Sequence, residues 1–360
     1  MKQLLTSLLI FVVYLLSGTQ ASYAAGHQDY YPRPIPMGVS ISTTPTSPYI
    51  SAGTAGMRVY ALANPNIKLI LSNNHVLGSI GPSLCPDTAD LWPPPLTRVI
   101  QPGTLDIGSD PGNDPFYVTA GVVKTVPLRF GLLQTNLVDA AVALTTTDLA
   151  STDILGIGSP TPELGTAIVG MDITKSGRTT GVTTGKVTAV NATVLVNYGT
   201  GCGTAVFKNQ IMTTASLGDS GDSGSVVLES STLKPVGLYF AGSALQGIMN
   251  PILQVYQSLG VFVDSDTAAP ALSQQQFAAR SQSISPDPRL KLLREIQARH
   301  QMKLLGRIAG LTGMGISRDG QQDAFVIYAR KRTAALMNQL PNSIEGVPVR
   351  VVESGEFRPY

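Results

Sequence analysis

The sequence predicts a mainly β protein, an antiparallel barrel or sandwich, followed by a small α+β unit. Three observations carry this reading. Short runs of β-branched and apolar residues recur up to about Phe262, separated by Gly, Pro, Asn and Asp clusters. The 360 residues include 36 Gly and 25 Pro, a composition suited to many turns. Near Thr267 the alternation gives way to helical spacing.

In chain order the strand-like runs are Met37–Ile41, Met57–Leu62, Ile67–Leu71, Phe116–Val126 and Ala140–Leu144. They continue with Thr166–Met171, Gly185–Val190, Thr193–Tyr198, Ser225–Leu228 and Val236–Phe240. Gly78–Pro115, rich in Pro, Gly and Asp, reads as a long surface loop between two strands. Residues 267–286 are small and polar, a linker or loosely helical segment. Asp287-Pro288 then has the character of an N-cap followed by a first-turn proline. Leu290, Leu293, Ile296 and Leu304 continue the helical spacing to about Gly306. Beyond it, 307–316 and 324–329 read as strands, Lys331–Leu340 as a helix stopped by Pro341, and Val347–Val352 as a strand. Gly313-Met314-Gly315 lacks a third glycine opening a helix, so it reads as a turn rather than a dinucleotide loop. The expected organisation is a β-rich domain over 25–266, the linker, and an α+β domain over 287–360.

The amino terminus has the pattern of an export signal: Lys2, an apolar run from Leu4 to Leu16, and small residues ending at Ala24. The run falls short of the ~18 residues a membrane span needs. Cleavage after Ala24, with no cysteine there to carry a lipid anchor, implies a secreted or periplasmic chain. The net charge of +2 argues against nucleic acid as the main partner. Arg330-Lys331-Arg332, in the more basic last quarter, reads as a solvated helix face. Cys85 and Cys202 suit one disulfide in an oxidising compartment or two buried thiols, and neither has a ligand at metal-binding spacing.

The chemistry concentrates in Gly218-Asp219-Ser220-Gly221-Asp222-Ser223-Gly224, which runs straight into the strand Ser225–Leu228. Glycines let the backbone turn sharply and bring main-chain N–H groups close to a substrate carbonyl. Serine needs a base at neutral pH. Of His27, His75 and His300, only His75 lies within the β-rich region at a strand end, in Ser72-Asn73-Asn74-His75. Asp139 stands at the mouth of the apolar run Ala140–Leu144, where an unpaired carboxylate is costly, and is the candidate to hold the imidazole. Asp106, Asp110 and Asp114 are expected to be solvated.

The order His75, Asp139, Ser223 matches the chymotrypsin arrangement and differs from the subtilisin and α/β-hydrolase orders. Further segments agree. Lys175-Ser176-Gly177-Arg178-Thr179-Thr180-Gly181 is similar to the Arg-Ser-Gly-x-Thr-Thr-Gly stretch of secreted bacterial members. Pro235–Ser243 resembles the strand walling the primary specificity pocket, and Asn250-Pro251-Ile252 leads into a terminal helix as in such domains. Residues 38–262 thus resemble an exported bacterial trypsin-like serine peptidase. The resemblance implies a double antiparallel β-barrel, Ser223 as nucleophile rather than Ser220, and oxyanion donors from Gly221 and Ser223. It also implies a buried Asp222 paired with Lys175 or Arg178, without activation by a released amino terminus. A peptide substrate is implied, with no metal or cofactor.

Two departures accompany the match. Phe240 stands where the family commonly has a serine touching the triad aspartate. Leu217 replaces the acidic specificity residue of trypsin, which implies a small or apolar pocket with Phe240, Ala241 and Gly242 on its wall. A catalytically silent binding protein on this fold and an esterase on the same triad are the alternative functions.

Overall fold

The computed structural model describes residues 26–44, 51–78, 97–111, 114–266, 271–283, 288–320 and 322–360. The predicted export signal, Asp287 and Cys85 lie outside them, so the Cys85–Cys202 pairing does too.

The architecture is mainly β, two curled antiparallel sheets forming barrel-like halves. In the first, eight strands run in the order Val261–Val263, Met57–Ala61, Asn64–Ser72, Ala141–Thr145, Val118–Thr125, Arg98–Ile100, Ser40–Thr43 and Gly53–Thr54. Their buried side chains, among them Val59, Leu69, Leu71, Val122 and Val142, fill one apolar core. Helix Ile252–Leu259 buries Val255 and Tyr256 in that same core.

The second half closes on itself. Asp172–Gly177 pairs on one side with Val226–Glu229 and on the other with the long strand Gly181–Asn197. Between them run Pro235–Ser243, Gln246–Pro251 and Thr204–Thr214, so six strands complete a ring. Closure leaves those six without a free edge. Ion pairing of Arg58 with Asp264, at 2.7 Å and almost fully buried, fastens the chain where it leaves the last strand of the first half.

After the second half come the helices Gln274–Ser283 and Pro288–Arg307 and the strands Leu311–Asp319, Gln322–Ala329 and Val347–Glu353. Leu311–Asp319 hydrogen-bonds along the outer part of Gly181–Asn197, which extends the sheet. Val326, Tyr328 and Phe357 share a buried cluster with Phe207 and Phe240 of the barrel.

Several local expectations are corrected. Gly78–Pro115 is not simply a loop: Arg98–Ile100 pairs with strands on both sides, and Ser40 and Ser42 accept the N–H groups of Gly103 and Thr104 at the start of a short helix. Thr166–Met171 is not a strand; it bonds to Val187 only at Gly170 and Met171. The two runs Gly185–Val190 and Thr193–Tyr198 belong to one strand, because Asn191 takes φ 53° and absorbs an irregularity without ending the ladder. Gly313-Met314-Gly315 lies inside a strand, where a Cβ on Gly313 would come within 2.8 Å of the Thr193 carbonyl. The helix expected over Lys331–Leu340 is one turn, Ala334–Met337, capped by Thr333. Arg330-Lys331-Arg332 is exposed ahead of that turn, not on a helix face.

Candidate active site

The site forms where the two halves meet. Strand Asn64–Ser72 delivers the chain to a one-turn helix, Asn74–Leu77, which carries His75. Asp139 lies just before the neighbouring strand Ala141–Thr145, so adjacent strand ends bring histidine and aspartate together. Asp139 Oδ2 is 2.7 Å from His75 Nδ1, and Oδ1 accepts the His75 main-chain N–H at 3.1 Å.

Asp139 is wholly buried, and its surroundings are built for a charge. Tyr198 donates its hydroxyl to Oδ2 at 2.6 Å. The Asp139 main-chain N–H donates to Asn250 Oδ1, and Asn250 Nδ2 donates to Gln210 Oε1. Burial pushes the Asp139 carboxyl up, but the charge and hydrogen bonds of His75 and the Tyr198 hydroxyl outweigh it and hold the group below its ordinary value. Burial, with the carboxylate alongside, pushes the Tyr198 phenol well above its usual value, so it remains a donor.

Tyr198 is the functional residue that sequence reading missed. It ends the run Thr193–Tyr198, and nothing in its spacing points to an aspartate 59 positions away. It supplies the hydrogen bond whose absence Phe240 implied. The Phe240 ring turns into the core instead, 4.8 Å from Phe207.

Ser223 is buried and Ser220 exposed. The Ser223 loop is set by Asp222, whose carboxylate accepts the N–H groups of Thr179, Thr180 and Asp219 and the Thr180 hydroxyl. Lys175 Nζ lies 3.1 Å from Asp222 Oδ2 with both side chains fully buried. Of the two expected cations, Lys175 therefore meets Asp222. Arg178 turns to Asp106, 2.5 Å away, which makes Asp106 a buried ion-pair partner rather than the solvated loop residue expected. Burial lowers the Lys175 ammonium, and Asp222 opposes that shift.

Two glycines shape the loop. Gly221 and Gly224 both take φ 95°. A Cβ on Gly224 would stand 2.2 Å from Ser72 Oγ and 2.4 Å from the Thr54 carbonyl, so only glycine lets the two halves close here. Among the described residues, the main-chain N–H groups of Gly221 and Ser223 have no acceptor within the chain.

The first half also grips the serine, for Thr54 N–H donates to the Ser223 carbonyl at 2.8 Å. The Ser223 hydroxyl donates to the Phe240 carbonyl at 3.2 Å rather than to His75. His75 Nε2 instead lies 3.2 Å from the main-chain oxygen of Tyr360. Ala241 and Gly242 pair with Pro359 and Arg358, and Leu217 is buried in the apolar cluster, with Tyr239, against which Tyr360 packs. The chain thus brings together His75, Asp139, Lys175 and Asp222 as paired groups, with Ser223 beside them. His27 lies apart from Asp139, bonded to Ser176, and His300 pairs with Glu345.

Among the described residues no helix is long and apolar enough to cross a membrane. No protein-family model matches this chain, and no curated protein matches it in sequence. Its fold is similar to that of Thermobifida fusca protease A, at 18% identity and TM-score 0.42 over 64% of this chain and 98% of that one. Nocardiopsis protease gives 17% identity and TM-score 0.42 over 64% and 99%. Cellulomonas bogoriensis chymotrypsin gives 17% and 0.41 over 64% and 98%. These structural neighbours are bacterial serine proteases of the chymotrypsin fold, and the likeness is one of fold.

Proposed function

We propose that the protein is an exported serine endopeptidase that cuts peptide bonds through an acyl-enzyme on Ser223. The observation that carries this reading is the grip of Asp139 on both the ring and the main chain of His75. A carboxylate at Nδ1 fixes the tautomer and leaves Nε2 as the atom that exchanges protons.

With a substrate carbonyl in place, Nε2 takes the hydroxyl proton of Ser223 as Oγ bonds to the carbonyl carbon. The π electrons move to oxygen, where the N–H groups of Gly221 and Ser223 are available to stabilise the charge. The tetrahedral centre collapses and the C–N bond breaks, and Nε2 returns its proton to the leaving amine. Water then repeats the sequence on the ester, restoring the serine and releasing the acid. Every bond is made by groups of the chain, the substrate and water. Tyr198 supports this reading over a silent binding protein, since it supplies the contact to Asp139 that Phe240 withdrew.

Export rests on the amino-terminal sequence pattern and is tested by sequencing the protein recovered outside the cytoplasm. A chain beginning near Ala25 is expected, and an intact Met1 would contradict it. The activity is tested by fluorophosphonate labelling with peptide mapping, on the full chain and on a chain lacking residues 358–360. Label is expected on Ser223, retained in Ser220→Ala and lost in Ser223→Ala and His75→Ala. No label on either parent chain, with circular dichroism unchanged, would refute the activated serine. Turnover of ester but not peptide substrates would move the reading to an esterase.

A further inference from the structure

The segment Arg358-Pro359-Tyr360 lies across the site as a peptide substrate would. It forms an antiparallel pair with the strand Pro235–Ser243, in the register Arg358 with Gly242 and Pro359 with Ala241. Tyr360 N–H donates to the Phe240 carbonyl at 3.2 Å, the same oxygen that holds the Ser223 hydroxyl. In an antiparallel ladder alternate residues face the partner, so the missing N–H of Pro359 falls on the outward side. The Tyr360 main-chain oxygen then reaches His75 Nε2.

The Tyr360 side chain occupies a formed recess. Its ring lies 5.5 Å from that of Tyr239 and packs against the apolar cluster containing Tyr239, Leu217 and Met249. It fills the space above Gly242, where a Cβ would come within 2.5 Å of the ring. Its hydroxyl donates to the Ser243 carbonyl at 2.7 Å. A flat ring with one polar tip satisfies both the apolar wall and the lone carbonyl. No cationic side chain contacts the Tyr360 ring or hydroxyl among the described residues, and the charges of Asp219 and Asp222 bear on the Tyr360 phenol, conditions unfavourable to an acidic side chain.

Upstream, the segment is tethered. Phe357 is fully buried, and its carbonyl accepts the Asn197 N–H at 2.9 Å. Ser354 bonds to Thr312 and to the Ala329 carbonyl. Residues 358–360 are therefore presented to the site from within the same chain, at an effective concentration of about the millimolar range.

We propose that this segment occupies the acyl-side subsites of the enzyme's own active site, closing it in cis, and that the recess selects substrates with tyrosine or phenylalanine before the cut. This rests on the peptidase reading above. With His75 Nδ1 held by Asp139, the Tyr360 oxygen stands 3.2 Å from Nε2, the atom that the proposed chemistry needs for the serine proton. Closure therefore occupies the recess and idles the base together.

The test compares the full chain, Tyr360→Ala and the chain lacking residues 358–360, using fluorophosphonate labelling rates and p-nitroanilides ending in Arg-Pro-Tyr, Arg-Pro-Phe, Arg-Pro-Ala, Arg-Pro-Lys and Arg-Pro-Glu. Both altered chains are expected to label about tenfold faster or more, by the fraction of molecules the tether holds closed. They are expected to cleave the Tyr and Phe substrates best. The free peptide Arg-Pro-Tyr is expected to inhibit the shortened chain competitively. Equal labelling rates in all three proteins would overturn closure in cis while leaving the activated serine standing. Best cleavage after Lys, Glu or Ala would overturn the aromatic recess. Absence of label in all three folded proteins would remove the peptidase reading itself. Tyr360→Ala, which spares Phe357, keeps the test valid if the shortened chain is unstable.

Discussion

The Tyr198 hydroxyl lies 2.6 Å from Asp139 Oδ2, the oxygen that also holds His75 Nδ1 at 2.7 Å. One carboxylate oxygen thus serves a phenol from the second half and an imidazole from the first. The bond couples the two halves at the point where the proposed chemistry needs a fixed ring.

Tyr198→Phe removes this donor from a fully buried carboxylate. A hydrogen bond to a charged group is worth about 1.5–3 kcal/mol, so a stability loss of that order is expected in urea unfolding at pH 7. The pH dependence follows from Asp139, whose folded-state value is depressed. Its contribution is present above the unfolded value of 3.8 and lost as pH falls through the lower folded value. Without Tyr198 the folded value rises, so the acid loss shrinks in size and begins from a lower plateau. Unfolding curves between pH 2 and 7 check this, and an unchanged acid limb would contradict the assignment.

Lys175→Ala and Arg178→Ala should separate clearly. Lys175→Ala strands Asp222 without its cation in the interior, which typically costs about 3–5 kcal/mol. Asp222 also positions the Gly221–Ser223 loop, so peptidase activity should fall with it. Arg178→Ala breaks the pair with Asp106 and leaves every donor to Asp222 in place. Because Arg178→Ala also strands a buried carboxylate, Asp106, both variants should lower the denaturant midpoint; serine labelling distinguishes them, and equal loss of label from both would count against the Lys175 assignment.

Gly224→Ala and Ser220→Ala test the doubled Gly-Asp-Ser-Gly. Alanine at Gly224 meets both an unfavourable positive φ and direct overlap with Ser72 and Thr54, an expected loss of about 3 kcal/mol or more. Ser220 is exposed, and its replacement should change stability by no more than about 0.5 kcal/mol. Thermal unfolding of the two variants is the measurement.

Much of this was legible from local pattern. Alternating apolar runs marked most strands, because burying one face of a sheet imposes a period of two on the side chains. Asp139 was legible because a carboxylate at the mouth of an apolar strand requires a partner. Thr166–Met171 misled for the same reason: its residues suit a strand, but ladder formation needs a neighbour along its whole length.

The sequence by itself determined the β-rich class, the change of pattern near residue 267, and the residue types at His75, Asp139, Asp222 and Ser223. Tertiary structure alone decided that Lys175 rather than Arg178 meets Asp222, that Tyr198 completes the aspartate's shell, and that Tyr360 lies on the Phe240–Gly242 strand beside His75. The physical reason is range. Strand and turn preferences act between near neighbours, whereas these contacts join residues 47 to 285 positions apart, as with Lys175 and Asp222 or His75 and Tyr360. Only closure of the two halves brings such groups within hydrogen-bond distance.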